Sequence, residues 1–94
     1  MGIPMRTPVP IVKIKVGGIY YILGSGNFYK VPETGKKTQL VYCPEGLLVK
    51  VVDTFSDPKN EIPMYVDVSI PSGEKIRLRP TRGLLRLSYE PLPQ

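Results

Sequence analysis

The chain has no histidine, no tryptophan and only one cysteine among its 94 residues. Each shortage excludes some chemistry. Without histidine there is no Ser-His-Asp or Cys-His pairing of nucleophile and base, and no imidazole-ligated metal. With Cys43 alone there is no internal disulfide and no thiolate zinc site. Set in an apolar run, Cys43 reads as a small core residue in a reducing compartment, so the cytoplasm is the expected location; a virion is the alternative location, as part of a larger assembly. Long apolar runs are missing too: Ile19-Tyr20-Tyr21-Ile22-Leu23 falls far short of the roughly 18 residues a membrane span needs, so no membrane partner is expected. The first residues have no apolar h-region, so no signal peptide is expected. Arg6 stands where a myristoylation signal wants Ser or Thr. Helical periodicity is also absent, since no capped segment places apolar residues at i, i+3, i+4 and i+7.

What is present is punctuation. Eleven prolines and nine glycines separate short β-rich runs, which suits strands joined by tight turns. Seven runs stand out, at 13–23, 27–31, 37–43, 47–55, 64–70, 75–79 and 84–88. The length is that of one domain with a modest core. The expected layout is an extended proline-rich N-terminal arm over 1–12, a β-barrel over 13–89 and a tail over 90–94, with no ladder pairing in either arm.

Two connections can be read at the level of register. A three-residue loop Pro71-Ser72-Gly73 lets Gly73 take a positive φ in a bulged turn. It sets Val68 against Ile76 and Val66 against Leu78 on one face, and Ser69 against Lys75, Asp67 against Arg77 and Tyr65 against Arg79 on the other. A two-residue loop would mix the faces. The same device at Glu33-Thr34-Gly35 sets Phe28 opposite Leu40. Here Tyr29, Val31 and Val41 make the second face apolar as well, so this hairpin is expected to pack on something.

The order of elements resembles an SH3-like small barrel. The resemblance rests on Val16-Gly17-Gly18-Ile19-Tyr20 opening the first strand, Gly24 to Pro44 as a long first loop, and Gly46-Leu47-Leu48-Val49-Lys50-Val51-Val52 as the second strand. Tyr65 to Leu78 is similar to the central hairpin, and Pro80-Thr81-Arg82-Gly83 to the short helical turn before Leu84-Leu85-Arg86-Leu87. It implies an all-β fold of five to seven short antiparallel strands. The signalling members bind peptides with paired tryptophans that are missing here, so the resemblance implies a fold and no particular ligand.

Two sets of residues are candidates for binding. Basic groups alternate with apolar ones at Lys75, Arg77 and Arg79, and Arg82 and Arg86 follow. With Tyr65, they suit phosphate neutralisation and base stacking. The formal charge of +5 is divided, however. Asp53, Asp57, Glu61, Asp67 and Glu74 against Lys59 make a net −4 block over 53–74, directly before a +5 block over 75–86. Cross-strand pairs such as Asp67–Arg77 would neutralise part of the basic run. The second set is partner-facing: Pro8, Pro10 and Leu92 in the arms, with Pro4, Met5 and Pro91 beside them; Tyr20 and Tyr21; and Phe28, Tyr29 and Val31 in the first-loop hairpin. Tyrosine combines apolar area with a polar tip, and six in this chain suit a contact surface.

No carboxylate pair and no nucleophile–base set has a spacing that implies catalysis, so neither an enzyme nor a cofactor is expected. Gly24-Ser25-Gly26 lacks the third glycine and the helix start of a phosphate loop and reads as a bend. The leading expectation is a non-catalytic interaction module in a larger protein assembly, meeting a protein partner or a second copy through the arms and first-loop hairpin. The alternatives are a basic nucleic-acid-binding barrel and a small inhibitor of a host enzyme.

Overall fold

The computed structural model describes residues 7–57, 59 and 63–91. Among them are nine strands and no α-helix: β1 (Val9–Pro10), β2 (Ile19–Ile22), β3 (Gly26–Tyr29), β4 (Leu40–Cys43), β5 (Leu48–Ser56), β6 (Pro63–Ser69), β7 (Lys75–Leu78), β8 (Leu84–Leu85) and β9 (Leu87–Ser88), with one 3-10 turn at Ile11–Lys13. A curled antiparallel sheet runs in the order β7-β6-β5-β2-β9, flanked by two two-stranded ribbons, β3-β4 and β1-β8. The β3-β4 ribbon is tied to the sheet at β7. The Val31 N–H donates to the Lys75 carbonyl at 3.0 Å, and Lys30 bridges Ile76.

Alternation along the strands builds the core, because successive side chains point to opposite faces. Val49 and Val51 from β5, Val66 and Val68 from β6, Ile76 and Leu78 from β7, and Tyr20 and Ile22 from β2 all turn inward. Phe28, Cys43, Leu85 and Leu87 close over them.

The β6–β7 hairpin has the register expected from its loop: Val66 opposite Leu78, Asp67 opposite Arg77, Val68 opposite Ile76 and Ser69 opposite Lys75. The Gly73 N–H donates to the Ile70 carbonyl at 2.9 Å, with Gly73 at φ 93°. A bulge lies on the other side of β6. Val51 faces Val68 but Asp53 faces Asp67, so Val52 is an extra residue.

The structure corrects four expectations. First, Phe28 stands opposite Val41, not Leu40. The turn is where the sequence puts it, with Gly35 at φ 79° and the Lys36 N–H on the Glu33 carbonyl at 3.1 Å. But the bond from Val31 to Lys75 draws the chain away from Thr38, so 31–38 is a wide loop and the register moves by one residue. Second, the N-terminal arm is not free of ladder pairing. Val9 and Pro10 pair with Leu85 and Leu84, the Ile11 N–H donates to the Gly83 carbonyl at 2.9 Å, and Val9 and Ile11 are fully buried. Pro10 is tolerated because β1 is an edge strand. Third, the run expected over 13–23 becomes a strand only at Ile19, after the 3-10 turn and a bend with Gly17 at φ 87°. Fourth, Pro80–Gly83 is not a helical turn. Thr81 and Leu84 exchange backbone bonds of 2.8 and 3.0 Å around Arg82 at φ 53° and Gly83 at φ 78°, the mirror-image form of the common turn that two-residue hairpins favour. The candidate positions Pro4, Met5, Glu61 and Leu92 lie outside the described residues.

Candidate functional site

The register of β5, β6 and β7 arranges their outward side chains in rows. Asp53, Asp67 and Arg77 form one row, and the bulge at Val52 brings Asp53 into it. Two acids side by side would repel, and Arg77 offsets this. Its Nε donates to Asp67 Oδ1 at 2.8 Å and its Nη2 to Oδ2 at 3.0 Å, the bidentate geometry that suits a guanidinium. These bonds raise the Arg77 pKa further above its ordinary value, against a smaller opposing effect of burial. The next row is aromatic: Tyr65 stacks on Phe55 at 5.0 Å, and the Arg77 guanidinium lies 3.8 Å from the Tyr65 ring centre. Tyr65 is therefore engaged within the sheet face and offers little ring for a base.

Arg86 has a similar internal task. Its guanidinium donates to the carbonyls of Leu23 (3.4 Å), Gly24 (2.7 Å) and Ser25 (3.2 Å) and lies 4.7 Å from the Phe28 ring centre. The two glycines make room for it, because a Cβ on Gly24 or Gly26 would come within 3.3 or 3.4 Å of Arg86 Nη2. Gly24-Ser25-Gly26 thus turns carbonyls toward a cation, the opposite polarity to a phosphate cradle.

Between β3 and β7 lies a cleft of about 460 Å3 lined by Asn27, Phe28, Tyr29, Lys30, Pro32, Thr38, Arg77, Leu78, Arg79 and Arg86. Four cations and no carboxylate line it. Their states differ. Arg77 is held by Asp67, Arg86 by carbonyls, and Lys30 by Glu74 at 3.4 Å. Among the described residues Arg79 has only the Tyr65 ring, 5.5 Å away. Of the basic candidates, Arg77, Arg79 and Arg86 meet at the cleft, while Lys75 and Arg82 lie away from it. Among the described residues the acidic block neutralises Arg77 but not Arg79, and Glu74 is spent on Lys30.

The partner-facing candidates divide by burial. Tyr20 and Phe28 are interior residues, 6% and 5% exposed. The Tyr20 ring folds back so closely over Gly18 that a Cβ there would meet it at 2.7 Å. Pro8, Pro10, Tyr21 and Val31 are half-buried, and Tyr29 is exposed. The one-residue shift in register also reveals residues that the sequence reading missed. A slip of one residue in a strand exchanges its two faces, so Val41 and Cys43 turn inward while Leu40 and Tyr42 join Tyr29 on the outer face. Tyr29, Leu40 and Tyr42 are 61%, 56% and 62% exposed. The sequence signal for this surface was the apolar second face of the hairpin; its membership depended on register. Cys43 is fully buried, and burial, with Glu74 nearby, pushes its thiol pKa up, away from the reactive thiolate.

No protein-family model, curated protein or solved structure matches the chain. Among the described residues no helix is long and apolar enough to cross a membrane, and no group of three or more potential ligands could hold a metal ion.

Proposed function

We propose that the chain is a non-catalytic interaction module on a small SH3-like barrel, serving as a structural or adaptor component of a larger protein assembly. The curled antiparallel sheet and the β6–β7 hairpin support the barrel reading; the mirror-image turn at Arg82-Gly83 departs from the family pattern. The observation that carries the function is the outer face of the β3–β4 ribbon. Three large apolar side chains, each more than half exposed, share one face of two paired strands. Clustered exposure of this kind marks contact sites, whereas scattered apolar residues are ordinary. In the N-terminal arm Val9 and Pro10 pair with β8, and Val9 and Ile11 are buried in the core, so the reading rests mainly on the ribbon.

The cleft supports a second reading, an anionic strand laid between β3 and β7. It is favoured by four cations with no lining carboxylate and by Arg79, which has no anionic partner among the described residues. Binding would weaken with salt on a slope set by roughly two to three phosphate contacts, fewer than the five basic residues 75–86 suggest, because Lys75 and Arg82 lie away from the cleft and Arg77 is held by Asp67.

One experiment separates the two. A photo-crosslinking residue replaces Tyr42 in one variant and Arg79 in another, and both are irradiated in the producing cell. Protein adducts at position 42 that disappear with Leu40→Ser support the interaction module. Nucleic-acid adducts at position 79 favour the second reading, and adducts at neither position sink both.

A further inference from the structure

We infer that β4 pairs edge to edge with β4 of a second copy, antiparallel about a twofold axis at Val41. The inference rests on the ribbon as the interaction surface and names its occupant. It starts from backbone groups. The Lys30 N–H donates to the Gln39 carbonyl at 2.9 Å, so in the β3–β4 ladder the hydrogen-bonded pairs are 30 with 39, 28 with 41 and 26 with 43. The N–H and C=O groups of Leu40 and Tyr42 therefore point off the free side of β4, and β3 is its only strand partner among the described residues. Other edges are blunted. β7 is covered by Val31, and β9 is two residues long. From Thr38 to Cys43 there is no charge and no proline to discourage pairing, although such residues commonly guard exposed edges.

The open groups also select the register. An antiparallel partner must set outward-pointing residues opposite each other. With the axis at Val41, Leu40 faces Tyr42 of the second copy and Tyr42 faces Leu40, and each pair exchanges two backbone bonds. The same register carries Lys37, just before β4, toward Glu45, in the turn just after it, twice. Both are exposed, and neither has an ion-pair partner among the described residues. Shifting the axis to Tyr42 would set Leu40 against Pro44, which has no N–H to give, and would lose the Lys37–Glu45 match. The resulting sheet runs β3-β4-β4-β3 across the two copies, and the exposed Leu40 and Tyr42 side chains pack across the seam.

The test is a charge exchange read by sedimentation across about 1 µM to 1 mM protein. The wild-type chain is expected to dimerise within this range. Lys37→Glu and Glu45→Lys should each weaken the dimer about tenfold by placing like charges opposite, and the double variant should return to within about threefold of wild type. Tyr42→Pro removes an outward N–H that the β3 ladder does not use and should abolish pairing while far-UV circular dichroism stays unchanged. Single variants that dimerise as well as wild type, or a double variant that is not rescued, overturn this register. A wild-type chain that is monomeric at 1 mM overturns self-pairing altogether. If position 42 then still crosslinks a different protein, the interaction reading survives the loss of this one.

Discussion

In the β6–β7 hairpin both faces are occupied. Val66, Val68, Ile76 and Leu78 fill the core, and on the other side Asp67, Arg77 and Tyr65 hold one another through two hydrogen bonds and a ring contact. In the β3–β4 ribbon only one face is occupied. Phe28 and Cys43 point inward, while Tyr29, Leu40 and Tyr42 face solvent beside a strand edge that no described strand pairs with. Both connections turn at a glycine with positive φ, Gly73 at 93° and Gly35 at 79°. The difference lies in the width of the loops and in where spare hydrogen bonds go. The tight loop leaves the hairpin complete in itself, and the wide one leaves the ribbon with surface and backbone groups to offer. Apolar residues of the same kind thus serve stability in one hairpin and association in the other.

The largest effect that would break this comparison comes from Ile76, fully buried where the two hairpins meet at the Lys30 bridge. Ile76→Ala should lower unfolding stability in urea by about 3 kcal/mol, whereas Leu40→Ser in dilute monomer should change it by less than about 0.5 kcal/mol. A comparable loss from both would mean that the ribbon face is structural after all. Next come the ion pairs. Arg77→Ala leaves Asp67 without its partner and beside Asp53, and should cost about 2 kcal/mol. Lys30→Ala removes a pair whose side chains are 29% and 41% exposed and should cost less than about 0.5 kcal/mol. Thermal unfolding of both variants distinguishes the two cases, and similar midpoints would contradict the contrast. The smallest effect sharpens the role of loop width. Gly73→Ala forces an unfavourable φ in a three-residue loop and should cost about 1 kcal/mol; Gly35→Ala, in a loop free to readjust, should cost about half that. Equal costs would show that the wide loop is as constrained as the tight one.

Much of the fold was legible because alternation and turn chemistry are local. Pro71-Ser72-Gly73 carried its register in four or five residues, and the Asp67–Arg77 pair followed from it. The β3–β4 register was not legible, since it depends on a backbone bond between Val31 and Lys75, 44 positions apart. Arg86 was read as part of a basic run, because no local pattern announces that three carbonyls more than sixty residues earlier will receive its guanidinium. The N-terminal arm departs from its expectation for a related reason: its prolines signal an open arm, while Val9 and Ile11 carry the apolar area that docks it on β8.

By itself the sequence determined the all-β class, the glycine turns and the split of its charge, because these follow from residue types and short spacings. Only the tertiary structure decided which cations are already engaged, which tyrosines are interior and which strand edge is open. Those outcomes depend on one-residue registers between distant segments, and a shift of one residue exchanges the two faces of a strand.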